Sequence, residues 1–386
     1  MKIGEFAERA GVTIRTLRYY DKIGLLKPLK KSSSGYRLYS EEDFFRLQQI
    51  TTLKFLGLSL EEIHKILCET GENLEDIIKI QREYLENKKR HIESVIGVLQ
   101  KTENQIKNKG CLETDKLIDI IKMTNMENNI IQQYKTEENL NLRKKFHSYN
   151  VNKIDWHQWC YDNMRIPKNA RILELGCGTG ELWYKNSKNI KKNWNIILSD
   201  LCENMIFSTK QNLKDIKYNF QYEKIDAQHI PYKNESFDVI IARHMLYLVP
   251  DIEKALAEIK RVLVKGGKLY LTTNSKDAMS ELNELIEKFD SKLGLHNNGM
   301  CNRFDLEHGQ DVLKIYFSKI NLNILEGRIL VDNAESVVSY KASSIKGRDT
   351  LVGEKRKAFQ QYVQKYIDIN KRISITTKAG IFEAIK

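Results

Sequence analysis

The chain has 386 residues, 41% of them hydrophobic and 30% charged, which fits a soluble globular protein of two or three domains. No run of 18 apolar residues occurs, which excludes a membrane span, and Met1–Glu5 lacks the apolar segment of a secretory signal. The six cysteines form no Cys-x-x-Cys pair, so the sequence predicts neither a disulfide framework nor a metal site and favours a reducing cytoplasm.

The positive charge is concentrated at the start of the chain. The whole chain carries +12; residues 1–60 hold 11 Lys and Arg against 6 Asp and Glu, a net +5, whereas residues 61–110 hold 9 against 10, a net −1. A basic segment suits phosphate contacts, although charge alone does not prove nucleic-acid binding. The first 60 residues are therefore where a DNA-binding element is expected.

Two short helices joined by a glycine turn are predicted at the N-terminus. Ile3 and Phe6 stand at helical spacing, and Gly11 then breaks the chain. Thr13 is a suitable N-cap for a second helix that runs through Tyr20. This arrangement is typical of a helix-turn-helix, whose second helix enters the major groove of DNA.

The second helix carries most of the predicted DNA contacts. Arg15 and Arg18 are three residues apart and share a face, whereas Leu17 lies off that face and belongs to the core. Arginine reads guanine edges or binds phosphate, and the hydroxyls of Tyr19 and Tyr20 can donate to phosphate.

A wing and a third helix follow. Residues 30–35 form a polar turn, and residues 36–39 alternate like a strand, which predicts a wing with Arg37 at its tip. Residues 43–56 have the periodicity of a helix. The predicted DNA contacts of the whole segment are Thr13, Arg15, Arg18, Tyr19, Tyr36, Arg37 and Tyr39.

This segment resembles the MerR family of bacterial transcription regulators over about residues 1–110. The motifs are Ile3-Gly4-Glu5, Thr16-Leu17-Arg18-Tyr19-Tyr20-Asp21, Gly24-Leu25-Leu26-Lys27-Pro28 and Tyr36-Arg37-x-Tyr39. The resemblance implies a dimer on a double-stranded promoter operator with an overlong spacer, acting on RNA polymerase indirectly. It also implies a bacterial cytoplasmic protein associated with the nucleoid.

A coiled-coil dimerisation helix is predicted next. Ile78, Leu85, Ile92, Leu99 and Ile106 recur every seven residues. This strict repeat favours a homodimer joined by two helices over a helix packed on its own chain. The resemblance implies that the two helices pair antiparallel. Cys111 stands alone where family metal sensors carry two or more cysteines, so a lone loop thiol is the expectation.

The second half predicts a parallel sheet with helices on both faces. Short apolar runs at 171–175, 195–199, 220–225, 237–242 and 268–273 alternate with helical segments. Asp251–Val264 reads as an amphipathic helix ended by Gly266-Gly267. The predicted domains are a winged helix-turn-helix at 1–72, a dimerisation helix at 73–110, a helical linker at 111–149 and a Rossmann-like α/β domain at 150–386.

A glycine-rich turn follows the first of these strands. Gly176, Gly178 and Gly180 lack a Cβ, which lets a ligand approach the backbone closely. Asp200 ends the second strand, 20 residues after the last glycine, where a carboxylate can hold ribose hydroxyls. The spacing Gly-x-Gly-x-Gly differs from the dinucleotide pattern Gly-x-Gly-x-x-Gly.

The ordered set of motifs resembles the class I S-adenosylmethionine-dependent methyltransferases over roughly residues 145–386. The matching segments are Glu174–Gly180, Asp200, Asp226–Gln228, Phe237–Tyr247 and Arg261–Gly267. Val264-Lys265 departs from the usual Lys-Pro, in a turn away from the cofactor. The resemblance implies S-adenosylmethionine as cofactor and a closing hairpin of Leu322–Leu330 with Ile373–Ile385. The implied cofactor residues are Glu174, Gly176, Cys177, Gly178, Gly180, Asp200, Leu201, Asp226, Ala227, Gln228 and Arg243.

Methyl transfer depends mainly on positioning, and a base is needed only when the acceptor must lose a proton. His244, just beyond the fourth strand, is the predicted base, with a structural role at the strand end as the alternative; Arg243 is the second catalytic candidate and can equally bind an anionic acceptor. An aromatic acceptor pocket is predicted from Tyr149, Trp156, Trp159 and Tyr247, although core packing explains the two tryptophans equally well.

Three functions remain open at this stage. The second domain is either an enzyme that methylates a small molecule, or a sensor that binds S-adenosylmethionine or another effector without turnover. A nucleic-acid methyltransferase is disfavoured, because Ala242–Met245 stands where amino-group DNA methylation requires an Asn/Asp-Pro-Pro-aromatic motif.

Overall fold

A computed structural model describes residues 1–32, 35–55, 138–152, 154–293 and 303–386, together with single residues between 60 and 103. The chain divides into two compact units, Met1–Gln100 and Lys101–Lys386. Within the described ranges, no helix has both the length and the apolar character needed to span a bilayer.

The first unit contains the predicted helix-turn-helix and wing. Helix α1 spans Ile3–Arg9, α2 spans Ile14–Lys22 and α3 spans Glu41–Phe55. Strands β1 (Lys30–Lys31) and β2 (Arg37–Leu38) pair antiparallel and form the wing. The predicted order of elements is confirmed, with helix ends shifted by one or two residues.

Packing in the core of this unit buries two of its tyrosines. Phe6 and Leu17 are completely buried, and the ring of Phe6 stacks on Tyr39 with centroids 4.4 Å apart. Tyr20 and Tyr39 are each only 2% exposed. Each fully buried large apolar side chain stabilises the fold by about 1.5–3 kcal/mol, so both tyrosines belong to the packing of the head.

The predicted dimerisation helix lies largely outside the described residues. Of its heptad positions, only Ile92 and Leu99 are described, and both are helical with about half of the side chain exposed in the single chain. Ile78, Leu85, Ile106 and Cys111 are outside, so the coiled coil and the lone loop thiol stay predictions.

The second unit is built on one seven-stranded sheet. Its strands are β3 (Arg171–Leu175), β4 (Asn195–Asp200), β5 (Gln221–Lys224), β6 (Phe237–Arg243), β7 (Leu263–Asn274), β8 (Lys319–Val331) and β9 (Ile373–Ile385). The spatial order is β5-β4-β3-β6-β7-β9-β8. The first five strands pair in parallel, and β9 runs antiparallel to both β7 and β8. The predicted sheet and its closing hairpin are confirmed.

Helices cover both faces of this sheet. They are α4 (Glu138–His147), α5 (Trp156–Asp162), α6 (Glu181–Lys185), α7 (Glu203–Leu213), α8 (Ile252–Val262), α9 (Ser280–Asp290), α10 (Gly309–Lys314), α11 (Ala334–Ala342), α12 (Ile345–Thr350) and α13 (Gly353–Asn370). Alternate residues of β3 divide between two cores: Leu173 and Leu175 pack with α8, while Ile172 packs with Trp183 of α6. This alternation aims Glu174 at the α6 side of the sheet.

One prediction about this unit needs correction. Gly266-Gly267 does not end the amphipathic helix, because α8 stops at Val262 and β7 already begins at Leu263, which pairs with Phe237. Residues 332–372, between the two strands of the closing hairpin, form the helices α11 to α13. Helices α11 and α13 build a third core together with α9 and Phe146 of α4.

The second unit also begins earlier than predicted. Arg143 donates through Nε to the hydroxyl of Ser343, 3.2 Å away, and through Nη2 to its carbonyl at 3.1 Å. Phe146 is completely buried and stacks on Tyr340 at 4.2 Å. Residues 138–149, which the sequence analysis assigned to the linker, therefore pack as part of this unit.

Candidate functional site

The carboxyl ends of β3, β4 and β6 meet at one edge of the sheet, which is where ligands bind in open α/β folds. The glycine turn after β3 has positive φ at Gly176 (69°), Gly178 (59°) and Gly180 (76°). The space beside each glycine differs. A Cβ on Gly176 would lie 2.9 Å from Met245 Cβ, and one on Gly180 would lie 3.0 Å from Thr209 Cγ2, whereas nothing lies within 4 Å at Gly178. Only Gly178 therefore faces open space, and the other two glycines are required by packing.

Asp200 closes the corner beside this turn. Its Oδ2 accepts from the N–H of Gly178 at 3.0 Å, and its Oδ1 accepts from the N–H of Cys202 at 2.9 Å. Burial raises the pKa of Asp200 to about 6, and these two backbone donors oppose the rise. Leu201, the next residue, is half-buried. The side chain of Cys177 is buried against Thr209, and burial raises its pKa well above the usual value.

The segment after β5 is a self-contained turn. Asp226 Oδ1 accepts from the N–H of Gln228 at 2.9 Å, and Asp226 Oδ2 lies 3.2 Å from Nδ1 of His229. Gln228 Oε1 accepts from the N–H of Asp251 at 3.0 Å. Asp226, Ala227 and Gln228 are all buried. The side chains of Asp226 and Gln228 thus shape the turn.

Glu174 and Arg243 form a buried ion pair at the same edge. Arg243 Nε donates to Glu174 Oε1 at 3.0 Å, with side-chain exposures of 8% and 0%. The other oxygen, Oε2, accepts from the indole N–H of Trp183 at 2.6 Å. Desolvation raises the pKa of Glu174, and the charge of Arg243 opposes this. Both oxygens of Glu174 therefore already have protein partners, and its role is to hold Arg243 in place.

His244 lies in the left-handed region, with φ of 49°, directly after β6. Its backbone N–H donates to the carbonyl of Thr272 at 3.1 Å. Burial, Arg243 and the neighbouring histidines His147 and His157 lower the pKa of His244 to about 3. A general base works best when its pKa lies near the working pH, so this imidazole is a weak base.

Two of the four predicted aromatic residues contact His244, and a third stacks on one of these two. The ring of Trp156 lies 5.2 Å from His244 and stacks on Trp159 at 5.3 Å, and Tyr247 lies 6.4 Å from His244. Tyr149 joins the third core instead, with its hydroxyl 3.2 Å from Ser336. Trp156 and Tyr247 thus lie beside His244, Trp159 lies next to Trp156, and Tyr149 is set apart. Trp156 and Trp159 also pack against the core that contains Trp183, which is the alternative that the sequence left open, so the acceptor pocket stays a prediction.

Helix α4 contributes groups to this edge that the sequence analysis did not single out. Lys144 Nζ donates to Thr179 Oγ1 at 2.9 Å and to Glu181 Oε1 at 2.7 Å, so it is fastened to the end of the glycine turn. His147 is solvent-accessible, yet desolvation and Arg143 lower its pKa to about 4.

In the first unit, some of the predicted DNA contacts are exposed to solvent, and others are engaged in contacts within the unit. Arg15, Arg18 and Tyr19 are exposed on α2, and Tyr36 is exposed in the wing. Thr13 is the N-cap of α2, and its hydroxyl accepts from the N–H of Thr16 at 3.1 Å. The exposed set is thus one helix face and one wing residue.

Two predicted contacts need correction. Arg37 is not a free wing tip, because its Nε donates to Asp21 Oδ2 at 2.6 Å in a partly buried ion pair. Tyr39 is buried, and its hydroxyl has no hydrogen-bond partner among the described residues, so it cannot reach DNA. Tyr20 is buried as well. The alternating strand pattern did not indicate which face would pack inward.

Comparison with known proteins assigns a family to each unit. The model of the MerR HTH family regulatory protein matches residues 1–70, and that of the methyltransferase domain matches residues 173–271. The chain thus carries a MerR-type helix-turn-helix domain at its N-terminus, followed by a class I methyltransferase domain. The exposed arginines of α2 lie within the first matched segment, and the glycine turn and Asp200 lie within the second.

Individual relatives match one unit each. The MerR-type domain is 39% identical over 101 residues to the HTH-type transcriptional activator mta of Bacillus subtilis, covering 26% of this chain and 39% of the relative. The solved N-terminus of that multidrug transporter activator is 38% identical, with 26% of this chain and 96% of the other covered at a TM-score of 0.25. The methyltransferase domain is 28% identical over 144 residues to the ubiquinone/menaquinone biosynthesis C-methyltransferase UbiE of Proteus mirabilis, covering 37% of this chain and 57% of the relative. The chain thus spans 39% and 57% of the lengths of these two curated relatives.

Proposed function

We propose that the protein is a transcription regulator that binds promoter DNA as a homodimer and whose methyltransferase domain binds S-adenosylmethionine to methylate a small molecule. The observation that carries this proposal is the corner formed by Gly178 and Asp200. Gly178, where a Cβ would meet open space, donates its N–H to Asp200 Oδ2 at 3.0 Å. Both residues lie at the carboxyl ends of β3 and β4, next to the reversal of strand order between β3 and β6.

The residues at this corner fit a nucleoside sulfonium cofactor. Gly178 leaves room where a Cβ would project into open space, and Asp200 retains lone pairs for two ribose hydroxyls. Leu201 and the Ala227–Gln228 segment are the proposed neighbours of the adenine. When bound, the cofactor would supply a methyl group that is already activated by its sulfonium sulfur. The acceptor's electron pair would form the new bond to the methyl carbon, and the sulfur would leave as a neutral thioether.

The acceptor side constrains which molecules are methylated. Trp156, Trp159 and Tyr247 offer an apolar wall beside His244. Because the pKa of His244 is only about 3, this imidazole does not hold an acceptor's proton at neutral pH. We therefore propose an apolar or aromatic acceptor whose attacking atom carries its electron pair without prior removal of a proton by the protein.

The low pKa of His244 also favours a second function. A domain that binds S-adenosylmethionine or another effector without turnover needs no base, and it would act by shifting the regulator between two states. Both functions require the corner at Asp200, and only the first requires methyl transfer.

Turnover separates the two functions. The purified full-length protein is incubated with methyl-labelled S-adenosylmethionine and a panel of aromatic and apolar metabolites, and label in the organic products is counted. Transfer that disappears in Asp200→Ala supports the enzyme. Binding of S-adenosylmethionine without transfer to any member of the panel supports the sensor. Absence of S-adenosylmethionine binding contradicts the enzyme and leaves only a sensor of another effector.

A further inference from the structure

We infer that His157 is a positioning residue: it orients Arg243 so that its guanidinium binds the carboxylate of the cofactor's amino acid end. This inference rests on the proposed function, since it assumes S-adenosylmethionine as the ligand. His157 belongs to none of the sequence motifs; it lies in the first turn of α5, 86 residues before Arg243.

The contact between the two side chains fixes the state of the imidazole. Arg243 Nη1 lies 3.0 Å from His157 Nδ1. A guanidinium only donates, so Nδ1 must accept, and the ring is neutral with its proton on Nε2. The low pKa of the ring, about 4, agrees with this state; desolvation is the main cause, and Arg243 adds to it.

His157 is itself held from two sides. Its backbone N–H donates to Asp155 Oδ1 at 2.9 Å, where Asp155 is the N-cap of α5. Its carbonyl accepts from Asn186 Nδ2 at 3.2 Å. The backbone that carries the imidazole is therefore fastened both to its own helix start and to the segment after α6.

Arg243 is thereby clamped on two edges. Glu174 takes Nε–H and His157 takes one N–H of Nη1, which leaves three of the five guanidinium donors without a partner among the described residues. The side chain is 8% exposed, so those donors are largely shielded from solvent. A planar carboxylate is the ligand that such a fork of donors matches best.

The ligand's charge completes the match. The amino acid end of S-adenosylmethionine carries one ammonium and one carboxylate, and the buried pair of Glu174 and Arg243 carries one carboxylate and one guanidinium. A neutral zwitterion can lie over this ion pair without adding net charge to a buried site, whereas a simple anion would add one. Without His157, the guanidinium would keep the contact with Glu174 but lose its second fixed edge.

The test compares two ligands that differ only in this carboxylate. S-adenosylmethionine and decarboxylated S-adenosylmethionine are titrated calorimetrically into the full-length wild type and into His157→Ala. We expect the first ligand to bind about tenfold more weakly to His157→Ala, the scale of one hydrogen bond to a charged group, and the second to bind unchanged.

Matched variants separate positioning from folding. His157→Asn should restore the affinity, because its Oδ1 takes the place of Nδ1 as acceptor from Arg243. His308→Ala, which removes an exposed histidine paired with Asp305, is the control and should change neither affinity. Equal weakening of both ligands in His157→Ala would show a merely structural role and overturn the inference, as would unchanged affinity for both. Failure of the wild type to bind either ligand would instead refute the proposed function.

Discussion

The backbone N–H of Gly178 donates to Oδ2 of Asp200 across 3.0 Å, so the glycine turn after β3 and the acid that ends β4 form one rigid corner. The two strands are hydrogen-bonded neighbours in parallel register, with Leu175 opposite Ser199. Sheet pairing therefore sets the distance between the turn and the carboxylate before any ligand arrives.

Cofactor binding should depend on the ionisation of Asp200. Its pKa is raised to about 6, so the carboxylate that accepts ribose hydroxyls is formed above this pH and lost below it. We expect affinity for S-adenosylmethionine to fall about tenfold from pH 7 to pH 5, measured by calorimetry. The pKa values of His147, His157 and His244, about 4, 4 and 3, keep these rings neutral over that range. Asp200→Asn should bind weakly at every pH, and a pH dependence that persists in this variant would reject the assignment.

Gly178 and Gly180 should respond differently to alanine. Both have positive φ, so each substitution carries about 1–2 kcal/mol of backbone strain. The methyl of Gly180→Ala also meets Thr209 and Leu213, so its melting temperature should fall further than that of Gly178→Ala. Gly178→Ala projects into open space and should lose cofactor affinity while remaining folded. Wild-type affinity in Gly178→Ala would place the ligand elsewhere.

Lys144 should hold α4 against the glycine turn. Lys144→Met removes the donors to Thr179 and Glu181, and we expect unfolding to become easier by about 1 kcal/mol, with faster amide exchange in 138–147. Lys145→Met, the exposed next residue, is the matched control. If the two variants exchange alike, the contact of Lys144 does not stabilise α4.

Arg18 and Tyr39 should have opposite effects in the head. Arg18→Ala removes an exposed cation from α2 and should abolish operator binding in a gel shift while leaving cofactor affinity unchanged. Tyr39→Phe removes a buried hydroxyl that has no partner among the described residues, so DNA binding should persist and stability should hold or rise. Loss of DNA binding in Tyr39→Phe would restore Tyr39 as a contact.

Local signals predicted the strands and the corner of the site well. Arg171–Leu175 has the same bounds in sequence and structure, because a short apolar run ends at a glycine that must turn. Asp200 followed from its distance along the chain after the glycines. Such patterns depend only on neighbouring residues, so long-range packing does not change them.

The features that the sequence did not predict depend on long-range contacts. The ion pair of Arg37 with Asp21 and the burial of Tyr39 depend on how the wing packs against α2, which no local pattern encodes. The contact of His157 with Arg243 joins residues 86 positions apart, and its signal in the sequence is a single histidine after an N-cap. The contacts of Lys144 with Thr179 and Glu181 are long-range as well, and Lys144 lies in a segment that was predicted to be a linker.

The most direct test is a calorimetric titration of S-adenosylmethionine into the full-length protein, alone and bound to an operator that the protein selects from random DNA. We predict micromolar binding to the free protein and a different affinity in the DNA complex, since linkage requires that two coupled sites alter each other's affinity equally. Equal affinities would contradict coupling between the two halves, and the absence of binding in both titrations would contradict the cofactor site itself.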